Sequence, residues 1–202
     1  AGNSNLCTAF SWSYVPLDGN VYLPIGITTI PDGAYSGNTF IKHLFIDSHS
    51  VLTSIGANAF KGSTINSITI PASVSVIGAY SFSGCSSLTK VVFHPGSNLS
   101  MISAHAFYNS KLSSINIPDS VTTIADYAFK GTSNLVGVSF HHIRSRLRTI
   151  GQESFYQSGL SRMSLPRSIQ SISARAFGSC TSLDTVTFVS GIGGWSALTS
   201  LG

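Results

Sequence analysis

Residues 70–88 read IPASVSVIGAYSFSGCSSL, and residues 117–135 repeat the plan as IPDSVTTIADYAFKGTSNL. In both, an isoleucine (Ile77, Ile124) stands five residues before a phenylalanine (Phe82, Phe129). The same pair recurs along the chain as Ile30 and Tyr35, Ile55 and Phe60, Ile102 and Phe107, Ile150 and Phe155, and Ile172 and Phe177. The aromatic positions are separated by 25, 22, 25, 22, 26 and 22 residues. Self-similarity at such a period is the mark of a solenoid, in which each repeat buries its apolar face only against its neighbours.

The alternating gaps make a pair of repeats the larger unit. Leu23, Ile70, Ile117 and Leu165 are spaced by 47, 47 and 48 residues, as are Ile46, Phe93, Phe140 and Phe188. Each repeat carries an apolar trio spaced as L-x-x-L-x-L, for example Ile65, Ile68 and Ile70 or Leu88, Val91 and Phe93. The last two members alternate with other residues as a half-buried strand requires. Short repeats then run into Pro24, Pro71, Pro118 or Pro166, which donate no hydrogen bond and end the strand.

The block Ile-Pro-x-Ser-Val-x-x-Ile-x-x-x-x-Phe, as in Ile70 to Phe82 and Ile117 to Phe129, with Ser83 to Leu88 following it, resembles the BspA-like leucine-rich repeat family. The resemblance covers residues 17–202. The long repeats depart from it, replacing Ile-Pro with Phe-His-Pro-Gly (Phe93 to Gly96) or Phe-His-His (Phe140 to His142), and Asn38 and Thr132 stand in the cysteine slot. What it implies is a curved or twisted leucine-rich-repeat solenoid of alternating short and long repeats, with one parallel β-sheet on one face and short 3-10 or helical turns and loops opposite. It also implies surface attachment and protein recognition, without catalytic residues.

Residues 1–16 break the register and hold Cys7, Phe10, Trp12 and Tyr14, which predicts an N-terminal cap over the first repeat or a lead-in to it. At the far end Leu198 to Gly202 copies Leu52 to Gly56, so the repeat region 17–202 is expected to stop in mid-repeat, as a piece of a longer solenoid. No leader or apolar run near twenty residues is present, so no membrane span is expected in this stretch.

Charged residues make up only 9% of the chain, and Ser, Thr, Asn and Gly fill the turns, which leans toward an extracellular or cell-surface setting. The net charge of +4 is uneven: residues 1–129 carry four lysines against five aspartates, whereas residues 130–202 carry Lys130 and all six arginines against Glu153 and Asp184. Cys85 and Cys180 occupy one slot four repeats apart, about 20 Å at strand spacing, too far for a disulfide and suited to small buried groups of the ladder. Cys7 has no near partner in sequence. His94 and His141 share a slot two repeats apart, about 10 Å, too far to ligate one zinc ion, and His141 and His142 point different ways if the strand runs through them. No catalytic or phosphate-binding fingerprint appears, so the chain is expected to be non-enzymatic, with no cofactor or metal and no nucleic-acid partner.

Two surfaces remain as binding candidates. Strand alternation turns one row outward as His43, Ser67, Lys90, Ser114, Gly137, Arg162 and Thr185, and a second as Phe45, Thr69, Val92, Asn116, Ser139, Ser164 and Thr187. Each spans roughly 30 Å. His43, Phe45, Lys90, Val92 and Arg162 break the small, polar rule and are the candidate anchors for a protein or glycan. The second surface is the run Arg144, Arg146 and Arg148, whose alternation with Leu147, in register with Leu52 and Leu99, aims three guanidinium groups outward at a polyanion. Asn98 heads the only N-glycosylation sequon. The leading expectation is a recognition or adhesion module. The alternative is a structural solenoid that self-associates into an extracellular layer or filament.

Overall fold

The computed structural model describes residues 10–141, 143–189 and 200–201. Cys7, His142 and most of the C-terminal copy at 198–202 lie outside the described residues.

Short strands alternate along the chain as β1 (Asn20–Leu23), β2 (Thr29–Ile30), β3 (His43–Ile46), β4 (Ser54–Ile55), β5 (Ser67–Ile70), β6 (Val76–Ile77), β7 (Lys90–Phe93), β8 (Met101–Ile102), β9 (Ser114–Asn116), β10 (Thr123–Ile124), β11 (Gly137–Ser139), β12 (Thr149–Ile150), β13 (Arg162–Leu165), β14 (Ser171–Ile172), β15 (Thr185–Phe188) and β16 (Ser200–Leu201). Odd-numbered strands stack on one side as a parallel six-stranded ladder from β1 to β11, then as the β13–β15 pair. Even-numbered strands stack on another side as β2-β4-β6 and β8-β10-β12-β14-β16. Every pairing is parallel and joins one coil to the next, for example Ser67↔Lys90 with Thr69↔Val92, and Thr123↔Thr149 with Ile124↔Ile150. Prolines close the strands as their missing donor requires: Pro24, Pro71 and Pro166 directly follow β1, β5 and β13.

The core is a set of columns along the stack. Ile30, Ile55, Ile77, Ile102, Ile124, Ile150 and Ile172 are all buried. Beside them Tyr35, Phe60, Phe82, Phe107, Phe129, Phe155 and Phe177 stack with centroids 5.1 to 5.5 Å apart and planes within 19° of parallel. The step slightly exceeds the ~4.8 Å strand spacing, as offset stacking requires, since aromatic quadrupoles repel in a direct sandwich. Trp12 meets the first ring edge-on at 5.8 Å, with Phe10 edge-on against Trp12 at 4.8 Å. Tyr14, by contrast, is largely exposed.

One expectation needs correction: the described residues contain no helix opposite the sheet. Each coil instead passes the phenylalanine through consecutive tight turns. Ala34, Ser36 and Asn38 donate back within their own coil to Pro31, Gly33 and Tyr35, while the intervening amides of Gly33, Tyr35 and Gly37 donate to Ala57, Ala59 and Lys61 in the next. Half of the amides thus serve the stack, whereas a helix would keep them all within itself. That alternation needs positive φ two residues before and two after the aromatic. Gly33, Asn58, Tyr80, His105, Tyr127, Glu153 and Arg175 occupy the first position and Gly37, Gly62, Gly84, Asn109, Gly131, Gln157 and Ser179 the second. A non-glycine residue there costs roughly 1–2 kcal/mol, which the hydrogen bonds and packing on both sides offset.

Candidate functional site

The sheet face is built by register. Asn20 pairs with His43, His43 with Ser67, Ser67 with Lys90, Lys90 with Ser114 and Ser114 with Gly137, while Arg162 pairs with Thr185. These pairings bring the predicted outward rows together as two columns. Val21, Leu44, Ile68, Val91, Ile115, Val138 and Met163, which alternate with them, are buried. Phe45, Thr69, Lys90, Val92 and Arg162 are exposed, and His43 and Ser67 are half-buried. Lys90 and Arg162 form no ion pair among the described residues.

Sequence reasoning missed Tyr22. Its pairing with Phe45 extends the second column by one coil, and the two rings stack at 4.8 Å and 14°. His43 lies 6.0 Å from the Phe45 ring, and its Nδ1 stands 3.5 Å from Ser67 Oγ. Tyr22 also borders a cavity of about 480 Å³ shared with Phe10, Tyr14, Asn20 and Pro24. The signal for Tyr22 was present: it precedes Thr69 by the 47-residue period.

The arginine run lies elsewhere, in the long-coil loop between β11 and β12. Arg144, Arg146 and Arg148 are exposed while Ser145 and Leu147 between them are buried. Backbone bonds fix that alternation: Arg146 N donates to Asp119 O at 3.0 Å and Arg148 N to Thr122 O at 2.8 Å. Arg144 stands 3.7 Å from the Asp119 carboxylate. His141 Nδ1 lies 3.2 Å from the Arg144 amide and Nε2 lies 3.1 Å from its guanidinium, and a neutral imidazole accepts only one of the two. Asn98 is exposed and Leu99 after it is buried.

A third array lies on the turn side. Tyr80, His105 and Tyr127 stack at 4.3 and 4.7 Å. Lys130 then reaches over Tyr127 and Tyr156 and bonds Glu153 at 2.6 Å, with Arg175 at 3.9 Å from the same carboxylate. Burial, reinforced by Lys130, holds the His105 imidazole below its ordinary pKa, and the bond to Glu153 holds the Lys130 ammonium above its own. These contacts follow the column of positive φ and lock its side chains against one another. Near the thiol column, Cys85 Sγ donates to Phe60 O at 2.9 Å, and burial pushes its pKa up to about 11. Cys180 makes the same contact with Phe155 O but is only half-buried, unlike the expectation for it. Among the described residues no three His, Cys, Asp or Glu side chains gather as a metal ion would need, and no helix is long and apolar enough to cross a membrane.

A parallel solenoid with a strand trio, an inward isoleucine and an inward aromatic ring in each coil defines a leucine-rich-repeat protein. The chain belongs to the BspA type leucine-rich repeat family, whose description matches residues 8–136 and 100–196. No curated protein matches it. Among solved structures, a leucine-rich repeat protein of Bacteroides ovatus is 23% identical with a TM-score of 0.67, covering 83% of this chain and 54% of its own. A leucine-rich cell surface protein of Faecalibacterium prausnitzii is 19% identical (TM-score 0.43; 91% and 63% covered), and the pneumococcal vaccine antigen PcpA is 18% identical (TM-score 0.44; 87% and 62% covered). The chain thus spans about half to three-fifths of the length of these proteins.

Proposed function

We propose that this chain is a non-enzymatic recognition module that engages a protein or glycan partner through the odd-numbered sheet, in an extracellular or cell-surface setting. The observation that carries this reading is the contrast between the two sides of each strand. Inward positions hold Val, Leu, Ile or Met, whereas the paired outward positions change chemistry from coil to coil, from Tyr22 and Phe45 through Lys90 and Val92 to Arg162. A merely solvated face has no use for exposed rings and cations held in register. The setting is supported by the low share of charged residues and the hydroxyl-rich turns. The outward arginines 144, 146 and 148 supply a second contact region suited to polyanions.

The test begins with light scattering over a range of concentrations. A monomer supports the module; concentration-dependent growth into long species favours the self-assembling solenoid instead. The chain is then immobilised and exposed to purified matrix proteins and polysaccharides. Binding is expected to fall at least tenfold in the Lys90→Ala/Arg162→Ala double variant. Failure of every analyte, or binding untouched by that change, overturns the sheet-face reading.

A further inference from the structure

Between β3 and β7 the outward column forms a slot. Tyr22 and Phe45 stack at 4.8 Å, the spacing of their own strands, so both ring planes stand across the sheet and face along the stack. Tyr22 covers one face of Phe45. The other face looks over β5, where Ser67 lies beside His43 and Thr69 therefore lies beside Phe45. Beyond it, Val92 pairs with Thr69 and is 38% exposed. Phe45 and Val92 are thus two strand spacings apart, about 9.6 Å, with only the short Thr69 side chain as a floor. A saturated six-membered ring set midway lies within roughly 5 Å of both walls, near carbon–carbon contact distance. Its C–H groups meet the electron-rich face of Phe45.

The neighbouring column decides the ring's chemistry. His43 and Ser67 offer a ring nitrogen and a hydroxyl alongside the slot, and at its far wall Lys90 offers an ammonium with no ion pair among the described residues. Neither outward column holds an Asp or Glu on the odd-numbered strands. Hydroxyls around the ring edge satisfy the first pair, and a negative charge complements the last. A peptide strand has no place to add here, because β5 is already paired on both sides.

We infer that the slot formed by Phe45, Thr69 and Val92 binds one ring of an acidic polysaccharide, with the ring face on Phe45 and its carboxylate or sulfate on Lys90. This rests on the recognition reading above and gives it a ligand class. A polymer laid along the stack reaches Arg162 three strands beyond Lys90, about 14 Å further on.

Calorimetric titration tests it with tetragalacturonate as the carboxylated probe, a heparin tetrasaccharide as the sulfated one and cellotetraose as the uncharged control, at low and at physiological salt. The expected result is binding of at least one acidic probe, with cellotetraose at least tenfold weaker. Phe45→Ala and Thr69→Trp, which remove the platform and fill the slot, should each weaken binding tenfold or more. Both sites are exposed, and an unchanged melting temperature verifies the fold. Lys90→Gln should weaken binding and flatten its salt dependence. Absence of binding by both acidic probes, equal binding of cellotetraose, or indifference to Thr69→Trp overturns the inference. Should the acidic probes fail while a matrix protein still binds through Lys90 and Arg162, the slot falls and the recognition module stands.

Discussion

Phe107→Ala probes the aromatic column where the stack is deepest. Phe107 has no exposed surface, and its ring lies between Phe82 at 5.4 Å and Phe129 at 5.3 Å, within 9° of parallel to both. Truncating a buried phenylalanine costs about 3–5 kcal/mol, and each stacked pair contributes about 0.5–1.5 kcal/mol beyond buried area. The hole cannot close easily, because the backbone on either side is held by Phe82 N to Ala106 O and Phe107 N to Ala128 O, both 2.8 Å. The upper part of the range, about 4–5 kcal/mol, is therefore expected. That is a large share of the 5–15 kcal/mol that typically holds a domain together. Since coils touch only their neighbours, the damage falls on one interface, and unfolding should divide into two transitions. Urea titration followed by far-ultraviolet circular dichroism measures both effects against the exposed Ser86→Ala as control. A single transition whose midpoint matches the control would refute the reasoning.

Tyr35 is the one ring of the column with a hydroxyl, and that hydroxyl has no hydrogen-bond partner among the described residues, while burial pushes its pKa up to about 12. Tyr35→Phe should be neutral or stabilising by up to about 1 kcal/mol. The raised pKa favours the protonated form, so the parent should keep full stability below about pH 10 and lose it toward pH 12; equal losses in parent and variant between urea melts at pH 8 and pH 11 would count against this. Glu153→Gln should cost about 1.5–3 kcal/mol at pH 7, because it removes the charge-assisted bond to Lys130, and a thermal melt within error of the parent would dismiss that bond as a support. Because burial raises the Cys85 thiol, it should resist Ellman's reagent at pH 8 until urea opens the stack, and rapid native labelling at Cys85 would contradict its place in the core. Gly137, an outward strand position with open space where a Cβ would stand, should accept Thr with a gain of about 0.5–1 kcal/mol in chemical denaturation.

The columns were legible in the sequence because burial repeats with the backbone. One Ile and one Phe or Tyr per coil, and the alternation around Ile68 and Ile70 or Val91 and Phe93, are enough to place the inward and outward positions from β3 to β13. The arginine loop was legible for the same reason, since Leu147 keeps the register of Leu52 and Leu99. The turn side was not. Gly33 and Asn58 hint at left-handed backbone, but Tyr80, His105 and Tyr127 share that column against their local preference, held there by bonds from the coils before and after. The slot was half legible: Phe45 and Val92 were in view, but the plane of Phe45 depends on Tyr22, a contact across strands that no local pattern records.

The two-coil unit has a consequence for the gene as well as the fold. Excising residues 71–117 would join Ile70 directly to Pro118, recreating the Ile-Pro junction in phase with every column. Excising a single coil would set two coils of the same kind against each other and misplace the loops. Length in such a chain is therefore a countable variable, changed by duplication or loss in double coils of about 9.6 Å each. Each such step changes the length of the stack while leaving its buried columns in phase.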